Sequence, residues 1–370
     1  MLKILKVGVD IGGTNVRIGF VRADDAGRAL LKKSALVDLH TCKILPFQLQ
    51  KPAGAHSLVR HIAGHILETC SRLTKKGWRV DRQLGVGMPG AYLADGRIHP
   101  GTVPNMPGFE KMKPWRLFSR YLGPGWRVTP SQVNNDGVVQ GLLMAGCYAK
   151  SKKMTGGKII ALVPGTGFGA GIYRVKDGSV KPVGGPQQLF DVIARKARPG
   201  EPLFNGKDRN RGYPARGGEP LSMEALAAGR ALQLRGSFLL KRSVTGERLS
   251  RLALNKTAGN ENRYAKELFQ QVGIDLARFI LLIRRGRFKK MHVPCKPPTK
   301  GASVFLIGGN WLIRGAGLKI SLPEARKTLL KAGCPDIKIV TINRIRELKG
   351  LAAVLGVLGA SLLVKPKKPR

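Results

Sequence analysis

A glycine-centred turn near the start of the chain places the strongest constraint on its fold and chemistry. Apolar residues alternate on both sides of the glycine pair 12–13, which predicts a β-hairpin over residues 4–22. Glycines have no Cβ atom, so backbone N–H groups in such a turn can approach a phosphate. Asp10 would then hold a metal ion, and Thr14 and Arg17 would donate hydrogen bonds to the anion. An ordinary hairpin turn also fits these residues, so the interpretation depends on motifs further along.

The composition is that of a globular protein with a very large positive charge. The chain has 370 residues, of which 43% are hydrophobic, enough for two domains with apolar cores. Lysine and arginine number 65 against 22 acidic residues, a formal net charge of +43. Such a charge attracts polyanions. The basic residues are dispersed, with local clusters at 150–153 and 284–290, so binding of nucleic acid or polyphosphate is expected to be unspecific.

Several features favour a cytoplasmic protein. The N-terminal residues run directly into a strand pattern, so we expect no cleavable signal peptide. The apolar run 351–364 is short for a membrane span and rich in glycine and alanine, so we expect a packed terminal helix and no membrane partner. Reduced thiols are favoured over disulfides or a zinc site, because no paired spacing occurs among Cys42, Cys70, Cys147, Cys295 and Cys334.

Apolar periodicity predicts two α/β halves that begin with similar hairpins. After its hairpin, the first half is predicted to contain a helix over 56–76, strands over 83–88 and 128–136, and a helix over 137–149. The second half is predicted to contain strands over 158–163 and 169–175, helices over 222–235 and 262–284, and strands over 303–309 and 338–341. The turn 164–168 is similar to the first glycine turn, so the halves look like paired repeats.

Four elements that can carry chemistry occur in a fixed order along the chain. They are residues 10–17, 87–90, 135–136 and 165–169. This order resembles that of the ROK family (repressors, open reading frames and kinases) within the actin-like ATPase superfamily of sugar kinases. The resemblance covers nearly the whole chain and includes further matching stretches at 104–108, 223–229 and 306–309.

The resemblance implies an α/β architecture, the two-domain actin-like ATPase fold of the ribonuclease H-like kind. In this fold, mixed sheets are flanked by helices, with a central cleft. The expected N-terminal domain covers 1–136 and is joined by the C-terminal helix 348–364. The expected C-terminal domain covers 137–347, and residues 365–370 form a basic tail. A homodimer is also expected from the family.

The activity implied by the resemblance is that of a glucokinase-like enzyme, which transfers phosphate from ATP to the primary hydroxyl of a hexose with Mg²⁺. Asp10 would bind the Mg²⁺ through water, which suits a cation that keeps much of its hydration. The implied nucleotide-binding residues are Asp10, Gly12, Gly13, Thr14, Asn15 and Arg17 in the first turn, Gly165, Thr166, Gly167 and Gly169 in the second, and Gly308 and Gly309.

Asp136 is the expected general base, because a sugar hydroxyl loses its proton as it attacks the γ-phosphorus. Structural roles also fit some site residues: Asp136 is a good helix N-cap, and Asn105 a good turn residue. Carboxylates such as Glu224 also favour the start of a helix. Planar amides and carboxylates recognise hydroxyl groups well. The residues implied to bind the sugar are Gly87, Pro89, Asn105, Asn135 and Glu224.

One stretch departs from the family pattern. Family members carry histidine and cysteine ligands for zinc just before the stretch that matches Glu224, whereas residues 183–188 and 211–218 contain neither residue type. We therefore expect no zinc. The missing histidine would also have contacted the sugar, so either the sugar site is rebuilt or sugar selection is relaxed.

Two other functions fit the sequence. Inorganic polyphosphate would suit a strongly positive site as an alternative phosphate donor. A sugar-responsive transcriptional regulator is the second alternative, since the family includes repressors and the chain is very basic. The first phosphate motif begins close to residue 1 and leaves no room ahead of it for a helix-turn-helix, and Asp136 is retained, so we favour the enzyme.

Overall fold

The computed structural model describes residues 3–12, 15–24, 29–30, 33–45, 47–93, 95–103, 106–165, 167–183, 189, 192–203, 213–257, 259–289, 299–309, 311–349, 351 and 354–364. Structural statements below concern these residues. The predicted site residues outside them are Gly13, Thr14, Asn105 and Thr166, and the predicted tail 365–370 also lies outside.

The described strands are β1 (Ile4–Ile11), β2 (Asn15–Arg22), β3 (Leu36–Lys43), β4 (Arg79–Gly87), β5 (Val133–Asn134), β6 (Gly156–Pro164), β7 (Phe168–Lys176), β8 (Ser179–Pro182), β9 (Ile193–Lys196), β10 (Pro202–Leu203), β11 (Tyr213–Pro214), β12 (Pro220–Ser222), β13 (Val304–Ile307) and β14 (Lys338–Thr341). The described α-helices are α1 (Phe47–Gln50), α2 (Pro52–Lys75), α3 (Pro114–Leu122), α4 (Asp136–Ser151), α5 (Met223–Ala227), α6 (Gly229–Leu239), α7 (Gly246–Leu254), α8 (Asn260–Arg285), α9 (Leu322–Lys331) and α10 (Leu355–Ser361).

The chain divides into two compact units. The first unit comprises Met1–Ser151, Gly184–Pro186 and Ile345–Arg370, and the second comprises Lys152–Val183 and Gln187–Arg344. Helix α4 belongs to the first unit because it packs against β4 and α10. The division therefore lies after Ser151, whereas the sequence placed it after residue 136.

A five-stranded mixed sheet forms the centre of the first unit, with strand order β3-β2-β1-β4-β5. The predicted hairpin is confirmed: β1 and β2 pair in antiparallel fashion, and β1 also pairs with β4 in parallel. Helix α2 covers the sheet with a buried apolar face. The core between them includes Val7, Val9, Leu58, Ile62 and Ile66.

The strand predicted over 128–136 is much shorter in the structure, and only Val133 and Asn134 pair with β4. A 3₁₀ turn occupies Pro130–Gln132, where the side chain of Gln132 accepts a hydrogen bond from the N–H of Thr129. Proline at position 130 has no N–H to give to a sheet, so the chain forms a capped turn before the strand begins.

Helix α10 lies directly against the backbone of this sheet through glycines. A Cβ atom on Gly8 of β1 would overlap the carbonyl oxygen of Val357, and one on Gly85 of β4 would overlap that of Ala360. On the opposite side of the helix, a Cβ on Gly359 would overlap the carbonyl oxygen of Val139 in α4. Glycine is required at these positions because two backbones meet with no space for a side chain.

The second unit contains another five-stranded mixed sheet, with strand order β14-β13-β6-β7-β8. The predicted second hairpin is confirmed as the antiparallel pair β6 and β7, and β13 lies parallel to both β6 and β14. The helix predicted over 222–235 is divided into α5 and α6, because Ala228 has an extended backbone with ψ of 146°. A short antiparallel pair, β9 with β12, precedes α5.

Within the described part of the chain, every helix is too short or too polar to cross a membrane.

We expect the substitution Gly85→Ala to lower the free energy of unfolding by about 3 kcal/mol, because its methyl group must displace the backbone of α10. The control Gly64→Ala lies in α2, where a Cβ meets nothing within 4 Å, and should stabilise the protein by about 0.5 kcal/mol. Urea unfolding of both variants measures the difference. Similar small effects for both would show that the close contact of α10 is not needed.

Candidate active site

Sheet register brings several predicted site residues into one row at an edge of the first unit. Asp10 at the end of β1 is paired with Arg17 on one side and with Gly87 on the other. Gly87 in turn is paired with Asn134 of β5. The chain then enters α4 at Asp136. Because β1, β4 and β5 are parallel, their carboxyl ends meet at the same edge, where α/β proteins commonly place functional groups.

Asp10 is a buried carboxylate with one nearby cation. Its side chain is 8% exposed, and its Oδ2 lies 3.5 Å from Nη1 of Arg17. A Cβ on Gly356, in the first turn of α10, would overlap the Asp10 carboxylate, so helix and carboxylate are in direct contact. Burial, and then the charge of Asp136, raise the pKa of Asp10 to about 7 against the opposing effect of Arg17.

Asp136 is the first residue of α4, but the capping role falls mainly on its neighbour. Oδ1 of Asn135 accepts hydrogen bonds from the N–H groups of Gly137 (2.9 Å) and Val138 (3.3 Å), and its Nδ2 donates to the carbonyl of Gly90 (3.1 Å). Asp136 receives only the Gly137 N–H, at Oδ1 and 2.9 Å. Its Oδ2 has no hydrogen bond from the described residues. Asp136 is therefore not committed to capping the helix.

Burial raises the pKa of Asp136 to about 6, and the hydrogen bond from the Gly137 N–H opposes the rise. Asp10 and Asp136 also interact as like charges, since Asp136 contributes to the raised pKa of Asp10. Two carboxyl groups in this situation resist simultaneous ionisation. Both are consequently poised to exchange a proton or to bind a cation near neutral pH.

Tyr92 belongs to this site, although the sequence did not single it out. Its hydroxyl donates to the carbonyl oxygen of Met88 over 3.3 Å. Burial and the charge of Asp136 raise its pKa well above the usual value. The N–H of Asp136 donates to the same carbonyl over 3.2 Å, so Met88 links the two residues. The only sequence signal was the position of Tyr92 just after the glycine–proline motif at 87–90.

The first glycine turn is closed by a hydrogen bond of 2.9 Å from the N–H of Gly12 to the carbonyl of Asn15. The Gly12 N–H is therefore used within the turn and does not point outward, in contrast to the expectation for this motif. Gly87 ends β4, where a Cβ would lie 3.3 Å from Val139, and Pro89 follows two residues later. Gly90 has φ of +121°, which a residue with a side chain rarely adopts.

In the second unit, the structure brings the second glycine turn next to Glu224. The N–H of Gly165 donates to the carbonyl of Gly167 (2.8 Å), and the N–H of Gly229 donates to that of Gly165 (2.8 Å). A Cβ on Gly167 would lie 3.2 Å from Oε1 of Glu224. Glu224 is thus a neighbour of the turn itself.

The glycines after β13 contact the strand that leads into this turn. The N–H of Gly308 donates to the carbonyl of Leu162 (2.8 Å). Gly309 has φ of +74°, and a Cβ there would overlap the carbonyl oxygen of Pro164. Gly169 is a regular β7 residue paired with Val163. Four glycines therefore surround one end of β6: Gly165, Gly167, Gly308 and Gly309. Because glycines have no side chains, a ligand could approach the backbone there.

No group of three or more His, Cys, Asp or Glu side chains suited to a metal occurs among the residues that the structure describes. Mg²⁺ needs no such group, because it is commonly held by one or two carboxylates together with water and phosphate oxygens. The buried carboxylate of Asp10, with Asp136 adding negative charge, fits that requirement. Zinc does not fit the described residues 213–218, which offer no thiol or imidazole.

No protein-family model matches the chain, and no curated protein matches it significantly. Solved structures do match. The ROK hexokinase of Thermus thermophilus is 22% identical with a TM-score of 0.59, over 97% of each chain. A ROK family glucokinase of Streptomyces griseus, in complex with glucose and AMPPNP, is 18% identical with a TM-score of 0.54, over 96% of this chain and 98% of that one.

A ROK family transcriptional regulator, a homologue of the E. coli MLC protein, is also similar. It is 14% identical with a TM-score of 0.59, over 98% of this chain and 80% of the regulator. All three neighbours cover nearly the whole of this chain, and two are kinases that act on sugars. The chain therefore has the mixed α/β fold of these ROK proteins, as the sequence predicted.

We expect Asp10→Asn to raise the melting temperature at pH 8 by about 3 °C. The folded protein binds the Asp10 proton up to a pKa of about 7, whereas the unfolded chain releases it near 4. Folded stability therefore falls as pH rises between these values, and a neutral side chain avoids the loss. Near pH 4 the variant should differ little from the wild type.

The matched control is Asp95→Asn. Asp95 accepts hydrogen bonds from the Arg97 N–H and from Lys113, and these hold its pKa down to about 2. Its replacement should raise the melting temperature at neither pH. A melting temperature for Asp10→Asn at pH 8 equal to or below that of the wild type would contradict the raised pKa of Asp10.

Proposed function

We propose that this chain is an ATP-dependent hexose kinase that phosphorylates the primary hydroxyl of glucose or a close relative. The observation that carries the proposal is the pair of carboxylates at one edge of the sheet in the first unit, the buried Asp10 and the half-buried Asp136. Their pKa values near 7 and 6 suit a metal ligand and a general base that work near neutral pH. The ROK fold, shared with a hexokinase and a glucokinase, supports the proposal.

Asp136 would accept the proton of the attacking hydroxyl. Its Oδ1 is fixed by the Gly137 N–H, while Oδ2 has no hydrogen bond from the described residues and can receive a substrate proton. Near pH 7.5 a carboxyl with a pKa of about 6 is ionised yet more basic than an ordinary aspartate. General-base catalysis is most efficient when the pKa of the base lies near the working pH.

Asp10 would hold Mg²⁺ through water, and Arg17 would contact phosphate. When bound, Mg²⁺ neutralises charge on the phosphates during transfer. A nearby cation favours the ionised form of Asp10, so the buried carboxyl should lose its proton as the metal binds. In the second unit, Gly165, Gly167 and Gly169 would approach the nucleotide phosphates, and Gly308 and Gly309 the adenosine. Gly12 would then serve mainly to shape its turn.

Asn135 and Glu224 would bind sugar hydroxyls. The backbone at Gly87 and Pro89 would bind near Asn135, because Gly87 is paired with Asn134 in the sheet. Oδ1 of Asn135 already accepts two helix N–H groups, so Asn135 would offer the second hydrogen of Nδ2, which can donate to a hydroxyl. Glu224 would supply an acceptor. Homodimer formation stays a prediction from the resemblance, and a cytoplasmic location stays a prediction from the sequence.

We expect Asp136→Asn to reduce kcat by about 10³-fold with little change in Mg-ADP affinity, because the amide binds no proton but keeps the shape. A coupled ADP-release assay with glucose, mannose, fructose, N-acetylmannosamine and allose measures kcat, and calorimetry measures Mg-ADP binding. Wild-type kcat should rise tenfold per pH unit below about pH 6 and level off above it. Turnover that survives the substitution would exclude Asp136 as the base.

Polyphosphate stays the second candidate donor, because a net charge of +43 favours a long polyanion over ATP. Counterion release makes polyanion binding strongly dependent on salt. If polyphosphate is the donor, its kcat/KM should fall by about tenfold between about 0.05 and about 0.3 M salt. With ATP as donor, kcat/KM should change less than about twofold over the same range. Saturable sugar binding without turnover on either donor would instead support the regulator.

A further inference from the structure

A cluster of buried charged side chains lies in the second unit, outside the residues assigned above. Arg195 donates through Nε to Oδ1 of Asp275 (2.9 Å), through Nη1 to Oε2 of Glu201 (2.6 Å), and through Nη2 to Oε1 of Glu201. Arg235 donates through Nη2 to the same Oε1 of Glu201 (3.2 Å). We call these four residues the ion cluster: Arg195, Glu201, Arg235 and Asp275.

The ion cluster is shielded from water. Asp275 is fully buried, and Arg235 is 3% exposed. Burial opposes the ionisation of Glu201, but hydrogen bonds from Arg195 and from the Arg198 N–H hold its pKa down to about 2. Charges in such a place are tolerated only while each keeps its partners, so the loss of one member leaves another charge buried and uncompensated.

Arg235 connects the ion cluster to α5, the short helix that carries Glu224. Its Nη1 donates to the carbonyl oxygen of Leu226 (2.8 Å), near the carboxyl end of α5. A helix of five residues cannot hold its shape alone, because helix nucleation is unfavourable. The bond from Arg235 therefore fixes one end of α5 by satisfying a carbonyl near the helix terminus.

The other end of α5 is also connected to the cluster. Leu221 of β12 is paired with Arg195 of β9, and the strand leads directly into α5 through Ser222, whose side chain caps the helix by accepting from the Ala225 N–H. Helix α5 also packs against α8, which carries Asp275. Arg195 and Arg235 thus hold the two ends of α5, and Glu201 joins them.

We propose that the ion cluster sets the position of Glu224 and thereby the affinity for the hexose, with Arg235 and Glu201 as positioning residues. The inference rests on the proposed function, in which the Glu224 carboxylate accepts hydrogen bonds from sugar hydroxyls. Glu224 lies beside Gly167, so a shift of α5 moves its carboxylate relative to the glycine turn. The cluster acts on sugar binding through α5, without contact with the substrate.

The test compares Arg235→Gln, Arg235→Lys, Glu224→Gln and the double variant Glu224→Gln with Arg235→Gln in the full-length chain. Arg235→Gln should raise the hexose KM about tenfold while the ATP KM changes less than about twofold. Lysine can replace one of the two hydrogen bonds, so Arg235→Lys should give an intermediate KM. Melting temperatures of all variants show whether each is folded at the assay temperature.

The matched control is Arg251→Gln, which removes an exposed ion pair with Glu247 in the same unit and should leave both KM values unchanged. In the double variant, the hexose KM should equal that of Glu224→Gln, because the neutral amide accepts hydrogen bonds more weakly than the carboxylate, so a shift of α5 has little sugar contact left to weaken. Multiplicative effects of the two substitutions, or a parallel rise in the ATP KM, would overturn the positioning role.

A wrong assignment of Glu224 as a sugar-binding residue gives a different set of KM values. If Glu224→Gln leaves the hexose KM at the wild-type value while turnover persists, Glu224 does not bind the sugar, and the assignment of Glu224 is wrong. If Glu224→Gln raises the KM but Arg235→Gln does not, the ion cluster is only structural. Should Arg235→Gln not fold, Glu201→Gln removes the shared partner and is judged by the same ratio of KM values.

Discussion

The close contact between α10 and the glycines of the first sheet is the constraint on which the candidate site depends. Gly8 and Gly85 let the helix backbone lie directly on β1 and β4, and Gly359 lets it lie equally close to α4. The helix thereby joins the strand that ends at Asp10 to the helix that begins at Asp136. Gly356 of α10 lies against the Asp10 carboxylate, and α10 packs on the helix that begins at Asp136.

Burial explains why the pKa values of the two carboxyl groups are raised. Gly356 lies against the Asp10 carboxylate, and burial is the largest cause of the raised pKa of both Asp10 and Asp136. Two neighbouring carboxyl groups with raised pKa values do not help a protein to fold. Above the ordinary pKa of aspartate the unfolded chain releases these protons more readily than the folded chain, so folded stability falls. Arg17 offsets part of this loss for Asp10. Raised pKa values that lower stability in this way are typical of residues in functional sites.

Local patterns in the sequence were sufficient for the hairpins and the long helices, whereas the fold was predicted from the resemblance that the order of the motifs carries. Alternating apolar residues and a glycine pair specify β1 and β2 without any distant contact, and the same holds for β6 and β7. Three other features of the structure were not predicted from these patterns. Proline 130 shortened β5, the extended backbone of Ala228 divided one predicted helix into α5 and α6, and contacts with α10 placed α4 in the first unit.

The site was predictable only where a motif carried it. Motifs identified Asp10 and Gly87 as candidates, but only the strand register of the structure shows that they share a row with Asn134. Tyr92 and the ion cluster gave no such signal. Members of the cluster, such as Arg195 and Asp275, are 80 positions apart, and only the folded chain shows that they meet.

The proposed function of the chain is the transfer of phosphate to the primary hydroxyl of a hexose. Phosphorus NMR of the wild-type protein with Mg-ATP and glucose tests it most directly. We expect a new monoester resonance that is split into a triplet by the two protons of one methylene group and that appears together with ADP. A resonance of inorganic phosphate alone, a doublet from a secondary hydroxyl, or an unchanged ATP spectrum on every hexose would contradict it.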